Sequence, residues 1–282
     1  RSADRGCPEL GSGRLLGGWW NDAAGARYRV GAEAACPGDI VNVTFVGSGD
    51  AFGSGGRFNT CIHVDDSGAF LLDCGASSLV AMKKVGIDRG AIDTILLTHF
   101  HADHFGGIPF FILDSQLNVK RRTPLLIVGP PGLREWYQRA MSLAFPGERT
   151  LPFELMLREV AIGTPETLNG RTVTAFPVQH DPRAGPCLAY RVESQGKTIC
   201  YSGDTEWTET LVEAARDADL FICECYMFET PRRSHMSLSA LQPHLARIGA
   251  KRVVLTHLSE DMLAHLNQVD VDCAVDGMVI EI

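Results

Sequence analysis

Long apolar runs are missing from this chain. No stretch approaches the roughly 18 uncharged apolar residues that a membrane-crossing helix requires, and no basic segment leads into an apolar run at the N-terminal end. A soluble protein without a membrane partner is predicted. A cytoplasmic location is expected; because the first residue is Arg1 rather than Met, an exported protein with its signal removed is the alternative. Positive charge is also scarce: 26 Lys and Arg stand against 34 Asp and Glu, a formal net charge of −8. Extended nucleic acid, gripped through its phosphates, is therefore disfavoured. Ions held at an acidic site would still admit a small anionic substrate. Repeats and low-complexity linkers are absent too, and hydrophobic residues at 45% with charged residues at 21% exclude disorder, collagen and coiled coil.

Cysteine is present, but not in zinc-ribbon spacing. Cys223 and Cys225 flank a single residue and no second pair accompanies them. Cys61, Cys74, Cys200, Cys223 and Cys225 sit in apolar, strand-like runs and read as buried free thiols. Cys7 and Cys36 each precede Pro and would pair only in an exported protein, so reduced thiols are the expectation.

A chain of 282 residues suits one layered α/β domain. Residues 1–38, rich in Gly and Ala with Trp19, Trp20 and Tyr28 near the middle, read as an extension that packs onto a domain spanning 39–282. Short β-rich runs are expected at 40–46, 61–64, 69–72, 95–97, 125–128, 173–178, 187–192, 198–201, 220–223, 252–255 and 278–282. Helical patterns fall at 77–85, 106–117, 132–143, 206–216 and 238–248. Strands followed by helices in both halves predict two sheets packed face to face, with helices on the outer faces.

The chemistry gathers after the run Ile95-Leu96-Leu97. There Thr98-His99-Phe100-His101-Ala102-Asp103-His104 places three imidazoles and a carboxylate within six residues at a strand end. Zinc takes imidazole nitrogen and carboxylate oxygen, and alternation along an extended turn would send His99 and His101 one way, Asp103 and His104 another. Two adjacent metals are the expectation. Capping or solvating histidines explain so dense a group poorly.

This His-x-His-x-Asp-His run resembles the signature of the metallo-β-lactamase superfamily, whose fold is a four-layered αββα sandwich. Downstream, His180, Asp204 in Ser202-Gly203-Asp204-Thr205, and His257 in Leu255-Thr256-His257 each follow a strand-like run, and the resemblance extends over roughly 40–257. It implies that His99, His101 and His180 hold one metal and that Asp103, His104 and His257 hold the second. Asp204 would bridge the two. It also implies two zinc ions per chain, with manganese or iron as substitutes, and a hydroxide between them as the nucleophile. Within the superfamily, Val46-Gly47-Ser48-Gly49 with Arg57, Asn59 and Thr60 is similar to the first motif of the ribonuclease Z-like branch. It lacks the context of a dinucleotide site and the Lys-Ser/Thr of a P-loop. That branch also carries a Glu that orients a later His assisting the leaving group; Glu224 and His235-Met236-Ser237 match, although Cys225 and Tyr226 replace the expected small residue and Thr.

The resemblance thus implies a metal-dependent phosphodiesterase whose catalytic residues are Asp103, Asp204, Glu224 and His235. Long-form bacterial members insert a tRNA-gripping arm between the third and fourth metal motifs. Here His180 and Asp204 are 24 positions apart and two strands already occupy the interval, so a small substrate is expected in place of precursor tRNA. A homodimer is left open. Of the compact basic groups, Lys120-Arg121-Arg122 reads as a solvated loop, while Arg232-Arg233 lies close enough to His235 to meet an anion. Aromatic groups at 105–111, 145–153 and 226–228 read as packing or lid. The rival reading is a lactonase, a β-lactamase-like enzyme or another ester or amide hydrolase; Asp204 favours a lactonase within that group. A redox di-iron protein would need Glu where His101 stands, and a non-catalytic module would not keep seven ligands.

Overall fold

A computed structural model describes residues 40–282. The first half runs β1 (Asn42–Gly47), β2 (Cys61–Asp65), β3 (Ala69–Leu72), α1 (Ser78–Val85), β4 (Ile92–Leu96), α2 (Ala102–Phe105), α3 (Ile108–Leu117), β5 (Leu125–Gly129), α4 (Leu133–Ala144) and β6 (Leu155–Glu159). The second half runs β7 (Glu166–Leu168), β8 (Arg171–Pro177), β9 (Leu188–Ser194), β10 (Lys197–Tyr201), α5 (Thr210–Ala214), β11 (Leu220–Glu224), α6 (Leu238–Leu241), α7 (Leu245–Ile248), β12 (Val253–Thr256), α8 (Glu260–Ala264), β13 (Asp272–Cys273) and β14 (Val279–Glu281). Two seven-stranded sheets result, ordered β14-β1-β2-β3-β4-β5-β6 and β13-β12-β11-β10-β9-β8-β7.

Alternation along the strands explains the layering. In β11, Leu220 and Ile222 enter the layer between the sheets while Phe221 and Cys223 face outward; in β5, Leu126 and Val128 face in, Leu125 and Ile127 out. Both faces are buried, which is why these strands read as unbroken apolar runs. Between the sheets pack Phe45, Val64, Phe70 and Leu72 with Tyr190, Val192, Tyr201 and Val254. Met82, Phe111 and Leu133 from the helices cover the outer face of the first sheet, and Leu211, Leu241, Ile248 and Met262 that of the second. The four layers are helix, sheet, sheet, helix, in one domain. Cys61, Cys74, Cys200, Cys223 and Cys225 are buried free thiols as expected; Cys7, Cys36 and the 1–38 extension lie outside the described residues.

Several expectations need correction. The helix expected at 106–117 begins at Ile108, preceded by the separate turn α2, because Gly106 and Gly107 pack too closely for side chains: a Cβ would lie 2.5 Å from the Ala102 carbonyl oxygen and 2.3 Å from that of Gly75. The 206–216 helix shrinks to α5, and the 238–248 helix is broken into short pieces around Pro243. Arg121 is no solvated loop residue. It is 3% exposed, donates to the Arg89 carbonyl, and lies over the Phe153 ring.

Arg171 binds the sheets together at one end. From the start of β8 it donates to Asp66 at 2.8 and 2.9 Å and to Asp93 at 2.7 and 3.2 Å, both in the first sheet's half. Parallel strands β4, β10, β11 and β12 all point their C-terminal ends the other way, and the polar cluster gathers there.

Candidate metal centre

Each expected metal donor follows a strand: His99 to His104 follow β4, His180 follows β8, Asp204 follows β10, and His257 follows β12, while Glu224 ends β11 and His235 lies in the loop between β11 and α6. His101 is still extended but occupies the N-cap position of α2, so that Asp103 and His104 fall in that helix and do not continue the extended turn; it is this switch that separates the two groups.

The first group is all imidazole. Nδ1 of His101 lies 3.1 Å from Nε2 of His99 and 3.1 Å from Nε2 of His180. The other nitrogens are engaged: His99 Nδ1 is 3.0 Å from the Thr98 hydroxyl, and His180 Nδ1 is 2.6 Å from the Ser234 carbonyl oxygen, to which it donates. Burial holds His99 well below the usual imidazole range and lowers His180, so their lone pairs face one another. The second group comprises Asp103, His104, Asp204 and His257. His104 Nε2 is 3.2 Å from Asp204 Oδ1 and 3.3 Å from Asp103 Oδ2; His257 Nε2 is 3.3 Å from Asp204 Oδ2. Asp204 Oδ2 also lies 3.8 Å from His180 Nε2 and 4.0 Å from His99 Nε2. This carboxylate therefore stands between the two groups.

Donor atoms within each group lie within 4.8 Å of one another. Two buried atoms, His104 Nε2 and Asp204 Oδ1, have no hydrogen-bond partner. Three carboxylates, Asp73, Asp103 and Asp204, surround His104; although burial opposes it, their charge raises that ring well above its usual range. The unpartnered His104 Nε2 and Asp204 Oδ1 thus face one another among further imidazole nitrogens and carboxylate oxygens, a donor set that could hold a cation. The residues fit a divalent metal.

Glu224, fully buried, accepts from the Met236 amide at 2.6 Å and hydrogen-bonds His235 Nδ1. Burial opposes a charged His235, yet the charge and hydrogen bond of Glu224, with Asp204 behind, raise it to about 9; burial in turn lifts the Glu224 carboxyl to about 7. Tyr226 stacks on the His235 ring at 4.6 Å, and Arg232 lies 5.8 Å from the Tyr226 ring centroid. A cleft of about 310 Å³ opens here, lined by Phe52, His101, Asp103, Tyr226, Arg232 and His235 among others. Of the aromatic groups singled out in the sequence, Tyr226 reaches the cleft, whereas Phe105, Phe111 and Phe153 are buried in the helical layer.

Sequence reasoning passed over the supports. Asp73 accepts from His104 Nδ1 at 2.7 Å, from the Thr98 amide at 2.8 Å and from the Tyr201 hydroxyl at 3.0 Å. Its signal was a carboxylate directly after the wholly buried β3. Thr60 Oγ1 lies 3.3 Å from His257 Nδ1. Gly47 and Gly49 serve close packing, since a Cβ would lie 2.0 Å from the Asn59 carbonyl oxygen and 2.8 Å from Arg57 Cβ, respectively.

Two mixed sheets between helical layers, with a His- and Asp-lined cleft at their strand ends, define a metal-dependent hydrolase of the metallo-β-lactamase fold. Residues 69–258 match the family model of the beta-lactamase superfamily domain. Ribonuclease Z of Methanothermobacter thermautotrophicus is 30% identical, the alignment covering 86% of this chain and 97% of that one; ribonuclease Z of Agathobacter rectalis is 28% identical over 79% and 89%. Among solved structures, human tRNase Z, short form, superposes with a TM-score of 0.68 at 27% identity, covering 85% of this chain and 98% of that one. The metallo-beta-lactamase fold protein YhfI from Bacillus subtilis reaches 0.72 at 21% identity, with 86% and 100% covered. The chain belongs to the beta-lactamase superfamily domain family, in its ribonuclease Z-like branch.

Proposed function

We propose that this protein cleaves phosphodiester bonds in small anionic substrates with two divalent ions, zinc foremost. His99, His101 and His180 would hold one, Asp103, His104 and His257 the other, with Asp204 shared. Ions bound there supply Lewis acidity toward a phosphoryl oxygen and make water acidic near neutral pH. The carboxylates of Asp103 and Asp204 accept hydrogen bonds from the attacking water and orient it. His235 carries a proton on Nε2 toward the leaving oxygen, because Glu224 occupies its Nδ1 and the Tyr226 stack fixes its plane. The match of this His235–Glu224 pair, with Asp204 beside His235, to the Glu and His of the ribonuclease Z-like branch is the observation that favours a phosphodiester over a lactone or lactam.

Precursor RNA fits less well. The net charge is −8, and a short turn with the β9–β10 hairpin fills the interval between His180 and Asp204. The test is hydrolysis of bis(p-nitrophenyl) phosphate by protein reconstituted with zinc or manganese, beside a lactone, a chromogenic β-lactam and precursor tRNA. Phosphodiester turnover is expected. Lactone turnover without it would promote the acyl-hydrolase reading, and efficient site-selective tRNA cleavage would overturn the small substrate.

A further inference from the structure

Two aromatic rings among the described residues are exposed. Phe110, 47% exposed, meets the Phe145 ring edge-on at 5.3 Å. Phe52, 81% exposed, has no ring or cation partner among the described residues, and it is the one that lines the cleft. An apolar ring held in water forgoes the stabilisation that burial gives, and a flexible loop would fold it away.

This loop is not free to do so. The buried Asp50 carboxylate accepts from the Phe52 amide at 3.2 Å, from the Ser54 amide at 2.8 Å and from the Ser54 hydroxyl at 2.8 Å. Asn59 Nδ2 donates to the Asp50 carbonyl at 3.0 Å, and the Gly53 amide closes the turn onto the same oxygen at 3.2 Å. Gly53 adopts φ +67°, a conformation in which glycine is unstrained. Four residues thus pin the backbone on both sides of Phe52 and present its ring at the rim.

Arg232 is the single Lys or Arg lining the cleft. Its guanidinium lies over Tyr226, which stacks on His235, and no carboxylate neutralises it among the described residues. An apolar flat surface, a fixed cation and an ordered proton donor therefore share one opening.

We propose that Phe52 is a specificity-determining residue: the nucleobase of a nucleotide-type phosphodiester stacks on its ring while Arg232 meets the substrate's negative charge. This rests on the phosphodiesterase reading above and names the substrate class within it. Stacking suits Phe52 because every base offers a π-face and the ring needs no hydrogen-bonding partner.

Thymidine 5′-p-nitrophenyl phosphate and methyl p-nitrophenyl phosphate share a leaving group and differ in the ring-bearing substituent. The ratio of their kcat/KM values reports the platform. Phe52→Ala should lower that ratio about 10- to 100-fold, the usual scale of base stacking on an aromatic side chain, chiefly through KM, and Phe52→Trp should preserve it. An unchanged ratio in Phe52→Ala, with folding verified by thermal melting, overturns the proposal. Should the wild type, loaded with zinc or manganese, hydrolyse neither diester, the phosphodiesterase reading fails on its own account. Calorimetric binding of thymidine 5′-monophosphate against ribose 5-phosphate then decides: a preference for the nucleotide that Phe52→Ala abolishes supports the platform, and equal affinities in the wild type reject it.

Discussion

The carboxylate of Asp73 receives the Nδ1–H of His104 at 2.7 Å, and in doing so turns the opposite nitrogen of that ring toward Asp204. Asp73→Asn keeps the shape and removes the charge. It should weaken metal affinity by about 10- to 100-fold, the usual cost of losing such a partner. Competition with a chromogenic chelator measures it; unchanged affinity would mean that the Thr98 and Tyr201 contacts suffice.

Metal content tests the two donor groups directly. Elemental analysis of reconstituted protein should give about two divalent ions per chain, and Asp204→Ala should lower that number because both groups lose a shared oxygen. Chelation should reduce the melting temperature by about 10 °C, since ions bound at a thousand times their Kd stabilise by about 4 kcal/mol. One ion, or an unshifted melt, speaks against a dinuclear centre.

His235→Ala should matter in proportion to how basic the leaving oxygen is. p-Nitrophenolate departs without a proton and should be slowed little, whereas an alkoxide should be slowed about 10²- to 10⁴-fold. Glu224→Ala should follow the same trend more mildly. Equal slowing of both substrates, with metal content intact, would assign His235 to positioning instead.

Acid stability should depend on Asp66. Burial alone would raise its carboxyl, but the hydrogen bonds of Arg171 and Ser194 and the Arg171 charge hold it below the usual range. Its folded-state pKa therefore lies below the unfolded value of about 3.9. The stabilisation it gives is complete above pH of about 4 and is lost as the pH falls below that. Asp66→Asn should cost about 3 kcal/mol near neutrality, the scale for breaking a buried pair, and should flatten the acid limb of a urea-midpoint profile.

How much of this the sequence disclosed follows from burial. Strands covered on both faces, such as β3, β5 and β11, are continuous apolar runs and were legible almost to the residue. By contrast, β6 has no fully buried residue and β7 has three residues with none buried, so neither carries a periodic signal. The donors were legible because His-x-His-x-Asp-His is dense and its partners follow strands. Asp73 and Thr60 were not singled out as supports, since their roles depend on ring nitrogens that only the folded chain brings near. Arg121 misled because a basic triplet looks alike whether its middle member is hydrated or lies over a buried phenylalanine.

Arg171 ties the sheets at the end opposite the cleft, while the donors at the cleft come from both sheets. At the cleft edge the two sheets are joined by the donor groups together with direct contacts such as Tyr201 to Asp73 and the Tyr190 hydroxyl to the Leu97 carbonyl. Stripping the ions should loosen that edge selectively, so that amides around His180, Asp204 and His257 exchange faster while those at the start of β8 stay protected. Ion occupancy would then govern how widely the mouth opens to admit substrate, as well as what happens to it inside.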